Sequence, residues 1–398
     1  MKHVNREGSY SVKWDSLKEH FGEDNLLPLW VADTDFKSPE CIKEAIDEVL
    51  SNGVYGYNVV PNEYFPTIAK WLKDIQGWSV DKEWLAFIPG IVRGIGYVIN
   101  YFTQKGDGIV VQPPVYPPFL NLPRENKREL IYNPLIEVDG GYKMDLDHLE
   151  SLFTTNSNIK LFILCNPHNP GGLVWKSEEL IRLASICHKH NVIVISDEIH
   201  ADMQLWGGKH TPFASVSDEA AAISITFGAP SKTFNIPGLV SSYAVVPNKE
   251  LREEFYHWMD VNELSAPTIY ASIGAIAAYT KGGEWRERML KYIEENILFV
   301  EEYCSANFGD LVVPMRPKAS FLVWLDCREL SKKLSGSNII IEEKLVELFI
   351  KGAKLALNSG TAFGEQGAGF MRLNVGCSKE FLARALGQLK VAIEEATK

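Results

Sequence analysis

Three short runs carry side chains of the kind that acid–base and nucleophilic chemistry uses: CNPHNPGG (165–172), SDEIHAD (196–202) and APSKTFN (229–235). Each follows an apolar run, KLFILC (160–165), VIVISD (192–197) and AISITF (222–227). Asp197 is the first carboxylate after its run, where burying a charge is costly unless a cation faces it. Two cations suit that place: the ammonium of Lys232, in a simple ion pair, or the protonated ring nitrogen of a bound pyridine. Asn169, between His168 and Pro170, stands in a turn-forming stretch where capping the local backbone is its plainest role. Taken singly these signals are weak, but the order Asn, Asp, Lys across three successive run ends is specific.

The elements that must position these residues are legible in the hydrophobic pattern. WLAFI (84–88), GIVVQ (108–112), KLFILC, VIVISD, AISITF and SSYAVV (241–246) are mostly apolar on consecutive positions, which is how strands covered on both faces read. Helical stretches lie between them, among them RGIGYVINYFTQ (93–104) and SEELIRLASICHKH (177–190), the second opening with Ser177 as its expected N-cap. The alternation predicts an α/β fold with a large, doubly wound, mostly parallel sheet. In such a sheet ligands gather outside the carboxyl ends of the strands, where the three polar runs fall. Further on, 284–305 reads as a long helix with Trp285, Met289, Ile293 and Ile297 at helical spacing, FLVWLDC (321–327) and FMRLNVG (370–376) as strands, and 378–396 as a closing helix. This is a smaller α+β domain. The boundaries expected are 1–50 for an N-terminal arm with part of the small domain, 51–283 for the large domain and 284–398 for the rest of the small one. The Gly-rich NSGTAFGEQGAGF (358–370) runs straight into a strand and reads as an ordered loop.

Composition narrows the function classes. At 398 residues, 46% hydrophobic and 23% charged, the chain is long enough for a substantial core and too apolar for disorder. A formal charge of −11, with no Lys/Arg run, speaks against a nucleic-acid partner. No apolar segment is long enough to span a membrane, and MKHVNREGSYSVKWDSL has no apolar signal core, so a cytoplasmic chain is expected. The six cysteines are scattered without a CxxC, which suits reduced thiols better than a disulfide framework. His188 and His190 end a helix with no acidic or cysteine partner nearby, and no metal site is expected.

With these motifs in place, the chain resembles the fold-type I, aspartate-aminotransferase-like pyridoxal-phosphate enzymes over essentially its full length, and within them the MalY/PatB cystathionine β-lyase branch. WVADTDF (30–36) is similar to that branch's N-terminal signature, and SDEIHAD and PSKTFN match its cofactor motifs. The resemblance implies pyridoxal 5'-phosphate held by Lys232 as a Schiff base, with Asp197 on the pyridinium nitrogen and Asn169 on the ring 3-oxygen. Tyr116, in QPPVYPPF, would stack on the ring, ordinary packing being its alternative. The backbone N–H groups of Ile91 and Val92, in the loop PGIVRGI that leads into a helix, would face the phosphate. Ser231 would join them. Tyr57, in VYGYN, would reach the phosphate from a neighbouring subunit, which makes the expected assembly a homodimer with shared sites. Lys232, Tyr116 and Tyr57 form the implied catalytic set. Arg372, in FMRLNVG, would clamp the α-carboxylate of an amino-acid substrate through its guanidinium fork, a surface salt bridge being its alternative, and Ala32 in the WVADTDF arm would lie over the substrate.

Departures from the wider family carry information too. Aminotransferases usually place Tyr three residues after the pyridinium-binding Asp; here His200 stands there, as in the lyase branch. Ala229 and Val240 occupy places where many relatives keep a Ser and an Arg on the phosphate, so the phosphate is expected to be held differently. The implied activity is a carbon–sulfur β-lyase acting on cystathionine or a cysteine S-conjugate. A class I/II aminotransferase is the alternative within enzymes, and a weakly catalytic regulatory protein the alternative outside them.

Overall fold

Runs without alternation become strands whose side chains are buried on both sides. In the computed structural model, which describes residues 1–398, β1 (Leu85–Ile88), β2 (Gly108–Val111), β3 (Glu129–Tyr132), β4 (Ile159–Cys165), β5 (Ile193–Asp197), β6 (Ser224–Gly228) and β7 (Ser242–Val245) form one sheet in the order β1-β7-β6-β5-β4-β2-β3. β7 alone runs antiparallel, between β1 and β6. The two faces have separate cores. Phe162 and Leu164 point into one, with Leu180, Leu183 and Cys187 of the helix Ser177–Lys189; Leu161 and Ile163 point into the other, with Ile95, Val98 and Ile99 of α1 (Ile91–Phe102). Sheet alternation thus feeds two helical layers, as a doubly wound fold requires. No helix is long and apolar enough to cross a membrane.

The C-terminal part is built around α2 (Gly283–Asn307), an antiparallel sheet of β8 (Val313–Met315), β9 (Leu322–Asp326), β10 (Asn358–Ser359) and β11 (Phe370–Asn374) in the order β8-β9-β11-β10, and α3 (Lys379–Ala396). Leu27, Leu29 and Phe36 from the N-terminal region share its core with Met289, Ile293 and Ile297. Leu27–Pro28 pairs in parallel with Leu355–Ala356.

Two local expectations need correction. Ser177 is the first helical residue and not the cap; the preceding Lys176 is extended and its N–H is taken by the Glu179 carboxylate at 3.1 Å, so a first-turn acid satisfies the N–H just outside the helix. In AISITF, residues before Ser224 belong to the short helix Asp218–Ile223, whose cap is the Ser217 side chain accepting from the Ala220 N–H; that cap, and the burial of Ala220 and Ile223, outweigh β-propensity there. All six cysteines are free thiols, five of them buried.

Candidate active site

The parallel register places the polar runs side by side. Cys165 at the end of β4 is level with Asp197 at the end of β5, and Asp197 with Phe227 of β6. The loops that follow carry Asn169 and Lys232 to the same edge. The chain turns outward from β2 to β3 but the opposite way from β4 to β5 and β6, so the crevice beyond the strand ends opens where that direction switches. A cavity of about 310 Å³ lies there, lined by Ala32, Ile91, Val92, Tyr116, Asn169, Asp197, His200, Ser231 and Lys232 among others. Nine of the residues singled out in the sequence are therefore brought together. Arg372 does not line that cavity but donates to Asn169 Oδ1 at 3.1 Å. Tyr57 is fully exposed, in an exposed stretch with Val54, Tyr55 and Val59, and is not brought to the cavity of its own chain.

The charged groups of the cavity lack protein partners of opposite sign. Asp197 is buried and accepts from the Ile199 N–H at 3.1 Å. The Asp197–Lys232 ion pair is not made, because the Lys232 ammonium donates at 2.6 Å to the carbonyl of Ala32. Burial accordingly pushes the Asp197 carboxyl up to about 7 and the Lys232 ammonium down to about 8. Arg372 is buried as well, in no surface salt bridge; its guanidinium donates to Asn169, to the Trp30 carbonyl and to Asn358, both at 2.8 Å, lies over the Phe363 ring and keeps Nε without a partner. Burial brings its proton affinity down to about 10. His200, pushed down to about 3 by burial, is neutral, with Nδ1 unpartnered. Asn169 is not a local cap, since its Oδ1 is engaged by Arg372; this leaves its amide N–H groups for the cavity. Tyr116 precedes the helix Pro117–Glu125 and packs edge-on against Phe119, with its phenol shifted up by burial.

At the other end of the cavity α1 begins. Gly90 precedes it at φ +107°, a conformation L side chains rarely adopt, and Gly94 sits where a Cβ would come within 2.8 Å of Ile88 and 2.9 Å of Phe227, so the helix rests directly on the sheet. The Gly94 N–H bonds back to the Gly90 carbonyl, and the N–H groups of Ile91, Val92 and Arg93 before it have no carbonyl available within the helix. Ser231, Ser241 and Ser242 line the same cavity, Ser241 Oγ lying 3.0 Å from the buried Tyr64 hydroxyl. Sequence reasoning missed Arg93, Ser241, Ser242 and Asn358. The Ser-Ser pair after Val240 was visible, and so was the asparagine opening the Gly-rich loop, but nothing local marked either as facing a ligand.

These features fit pyridoxal 5'-phosphate: a buried carboxylate without a protein cation for the ring nitrogen, a partly buried lysine whose amine is tied only to a carbonyl, and unpaired N–H groups with hydroxyls for an anion. Comparison with known proteins agrees. Residues 25–389 match the aminotransferase class I and II family. The chain is 42% identical to cystathionine beta-lyase PatB of Bacillus subtilis (strain 168), over 98% of this chain and 99% of that one, and 32% identical to protein MalY of Escherichia coli (strain K12), over 98% of each. Among solved structures, cystalysin from Treponema denticola, which contains a pyridoxal 5'-phosphate cofactor, superposes with a TM-score of 0.93 at 31% identity, covering 99% of this chain and 98% of that one.

Proposed function

The chain belongs to the aminotransferase class I and II family, and from that premise we propose that it is a pyridoxal-phosphate-dependent carbon–sulfur β-lyase, cleaving L-cystathionine or a related cysteine S-conjugate to a thiol, pyruvate and ammonia. The observation that carries the reading is the buried Asp197 carboxylate, which has no protein cation although Lys232 lines the same cavity.

Lys232 would hold the cofactor covalently, Asp197 would face its ring nitrogen, Asn169 its ring oxygen, Tyr116 its ring face, and Ile91, Val92 and Ser231 its phosphate, with His200 beside the ring. When bound, pyridoxal phosphate supplies an electron sink for negative charge at the substrate Cα. The chain's own residues do the rest. The Arg372 fork, which has no anionic partner in the chain, takes the substrate carboxylate, and the Ala32 segment lies over the substrate. The Lys232 amine, released when the substrate amino group takes its place and with its proton affinity brought down to about 8 by burial, would remove the proton from Cα as general base. The electron pair left at Cα forms the double bond to Cβ as the Cβ–S bond breaks, and the proton on Lys232 is available to the departing sulfur. Water then hydrolyses the three-carbon remainder to pyruvate and ammonia.

Exposed Tyr57, with the apolar side chains around it, supports a homodimer in which each subunit completes the other's phosphate site. A cytoplasmic location accords with the reduced thiols. The deciding experiment is a product assay with L-cystathionine and no added 2-oxo acid: pyruvate, ammonia and homocysteine accumulate over many turnovers. Turnover that stops after one equivalent and resumes with a 2-oxo acid would identify an aminotransferase instead.

A further inference from the structure

Residues 30–36 pass the cavity, with Ala32 in its lining, outside any helix or strand, and side chains distant in sequence hold their backbone. Lys232 binds the Ala32 carbonyl and Arg372 the Trp30 carbonyl. Asn374 donates to the carbonyls of Val31 and Asp33, both at 2.6 Å, and Asn235 to those of Thr34 and Phe36, both at 2.9 Å. The crosspiece carries two buried carboxylates, Asp33 and Asp35, and the chain's first sixteen residues answer them. Lys13, fully buried, lies 2.7 Å from Asp35 Oδ2 and 3.9 Å from Asp33 Oδ1. Arg6 lies 2.8 Å from Asp33 Oδ2 and 3.4 Å from Asp35 Oδ1. The Trp14 indole donates to Asp35 at 2.9 Å and the Trp30 indole to the Lys13 carbonyl at 3.0 Å.

Buried ion clusters of this kind are a poor route to stability, since apolar side chains of similar volume do as well or better. This one adjoins the carbonyls that hold Lys232 of the cavity and Arg372 next to it, neither of which has an anionic partner, and Asp33 Oδ1 is a buried oxygen with no hydrogen bond of its own. We infer that the Arg6–Lys13–Asp33–Asp35 cluster is a positioning and tuning device for the lyase site: it fixes the crosspiece carbonyls on Lys232 and Arg372, and it sets how much of the Asp33 negative charge Lys232 feels. The inference rests on Lys232 being the cofactor lysine. The charged and titratable groups acting on Lys232 and beside it are Asp33 from the crosspiece, Asp197 and His200 from the β5 end, and Arg372 from β11. The two carboxylates favour its protonated form, while burial and Arg372 oppose it.

The test is the visible absorption of the cofactor-loaded protein followed against pH. Asp33→Asn removes a favourable charge without changing shape, and the midpoint of the spectral change falls by about one pH unit. Arg6→Gln strips Asp33 of its nearer cation from the partly exposed side, and the midpoint rises, by about a few tenths of a unit. Opposite signs separate charge tuning from loosening, which moves both variants the same way. Midpoints that stay at the wild-type value, or shift together, overturn the inference; if Asp33→Asn does not fold, an unmoved midpoint in Arg6→Gln overturns it alone. Borohydride fixation and peptide mapping of the wild type keep the premise separate. Label on Lys232 with unmoved midpoints sinks this inference only, whereas label elsewhere sinks the site assignment and this inference with it.

Discussion

Two clusters of charge, one on the crosspiece and one at the cavity it passes, are built on opposite principles. In the N-terminal cluster each carboxylate, Asp33 and Asp35, lies within ion-pair distance of both Lys13 and Arg6. At the cavity, Asp197 and Arg372 are buried and Lys232 partly so, yet all three have only neutral partners. The neighbouring carboxylates Asp197 and Glu198 repeat the contrast at closer range. Glu198 accepts from Ser196, His210 and the Phe213 N–H, between 2.7 and 2.9 Å, whereas Asp197 has its single backbone donor. A buried charge left without a counterion raises the energy of the ligand-free chain, and a ligand of complementary charge relieves it. Charges matched within the chain position; charges left unmatched bind.

Removing the reacting group should have the largest effect. Lys232→Ala is expected to abolish covalent cofactor attachment and lower kcat by about 10³-fold or more, checked by borohydride labelling and by pyruvate release; a variant still labelled at the native site would move the role elsewhere. Next comes the paired cluster. Lys13→Met leaves Asp35 with Arg6, at 3.4 Å, as its one cation beside the Trp14 indole, and about 3–5 kcal/mol of stability should be lost in denaturant titration. A near-neutral outcome would erase the contrast between the two regions.

Arg372→Lys keeps the charge but loses the fork, and kcat/KM for cystathionine should fall about 10- to 100-fold with the fold intact. Unchanged kinetics would place the carboxylate site elsewhere. Asp197→Asn tests the cost of the unmatched anion. In cofactor-free protein the Asp197 carboxyl is raised to about 7, so the folded state holds a proton that the unfolded chain releases from about pH 4. Wild-type stability therefore falls as pH rises through that window. The asparagine carries no such charge, so the variant should gain on wild type from pH 4 to 7 and lead by on the order of 2 kcal/mol above it, read from thermal unfolding at several pH values. A gap independent of pH would mean that Asp197 is matched after all. The smallest effect is expected for Tyr57→Phe, which removes one hydroxyl donor from the partner's phosphate site. Cofactor affinity should weaken by about 1 kcal/mol without loss of fold, by equilibrium dialysis; a fully active monomer in sedimentation would contradict the shared site.

What the sequence determined by itself was the sheet and its loaded edge. Consecutive apolar residues in KLFILC and VIVISD require cover on both faces, so the polar residues that end each run must emerge together at one edge, and Asn169, Asp197 and Lys232 were placed by that local rule. The roles of Arg372, Tyr116 and Ala32 came from family resemblance, because no periodicity marks a single arginine in FMRLNVG as buried and unmatched. Only the tertiary structure decided which charges would meet. That Lys232 turns to a carbonyl and not to Asp197, that Arg372 bonds Asn169 across 203 positions of sequence, and that Lys13 and Arg6 spend themselves on Asp33 and Asp35 all depend on where the N-terminal segment crosses between the two sheets. Hydrophobic pattern specifies which face of an element is buried. The pairing of buried charges depends on distances of a few ångströms between segments far apart in the chain, and only the packed fold sets them.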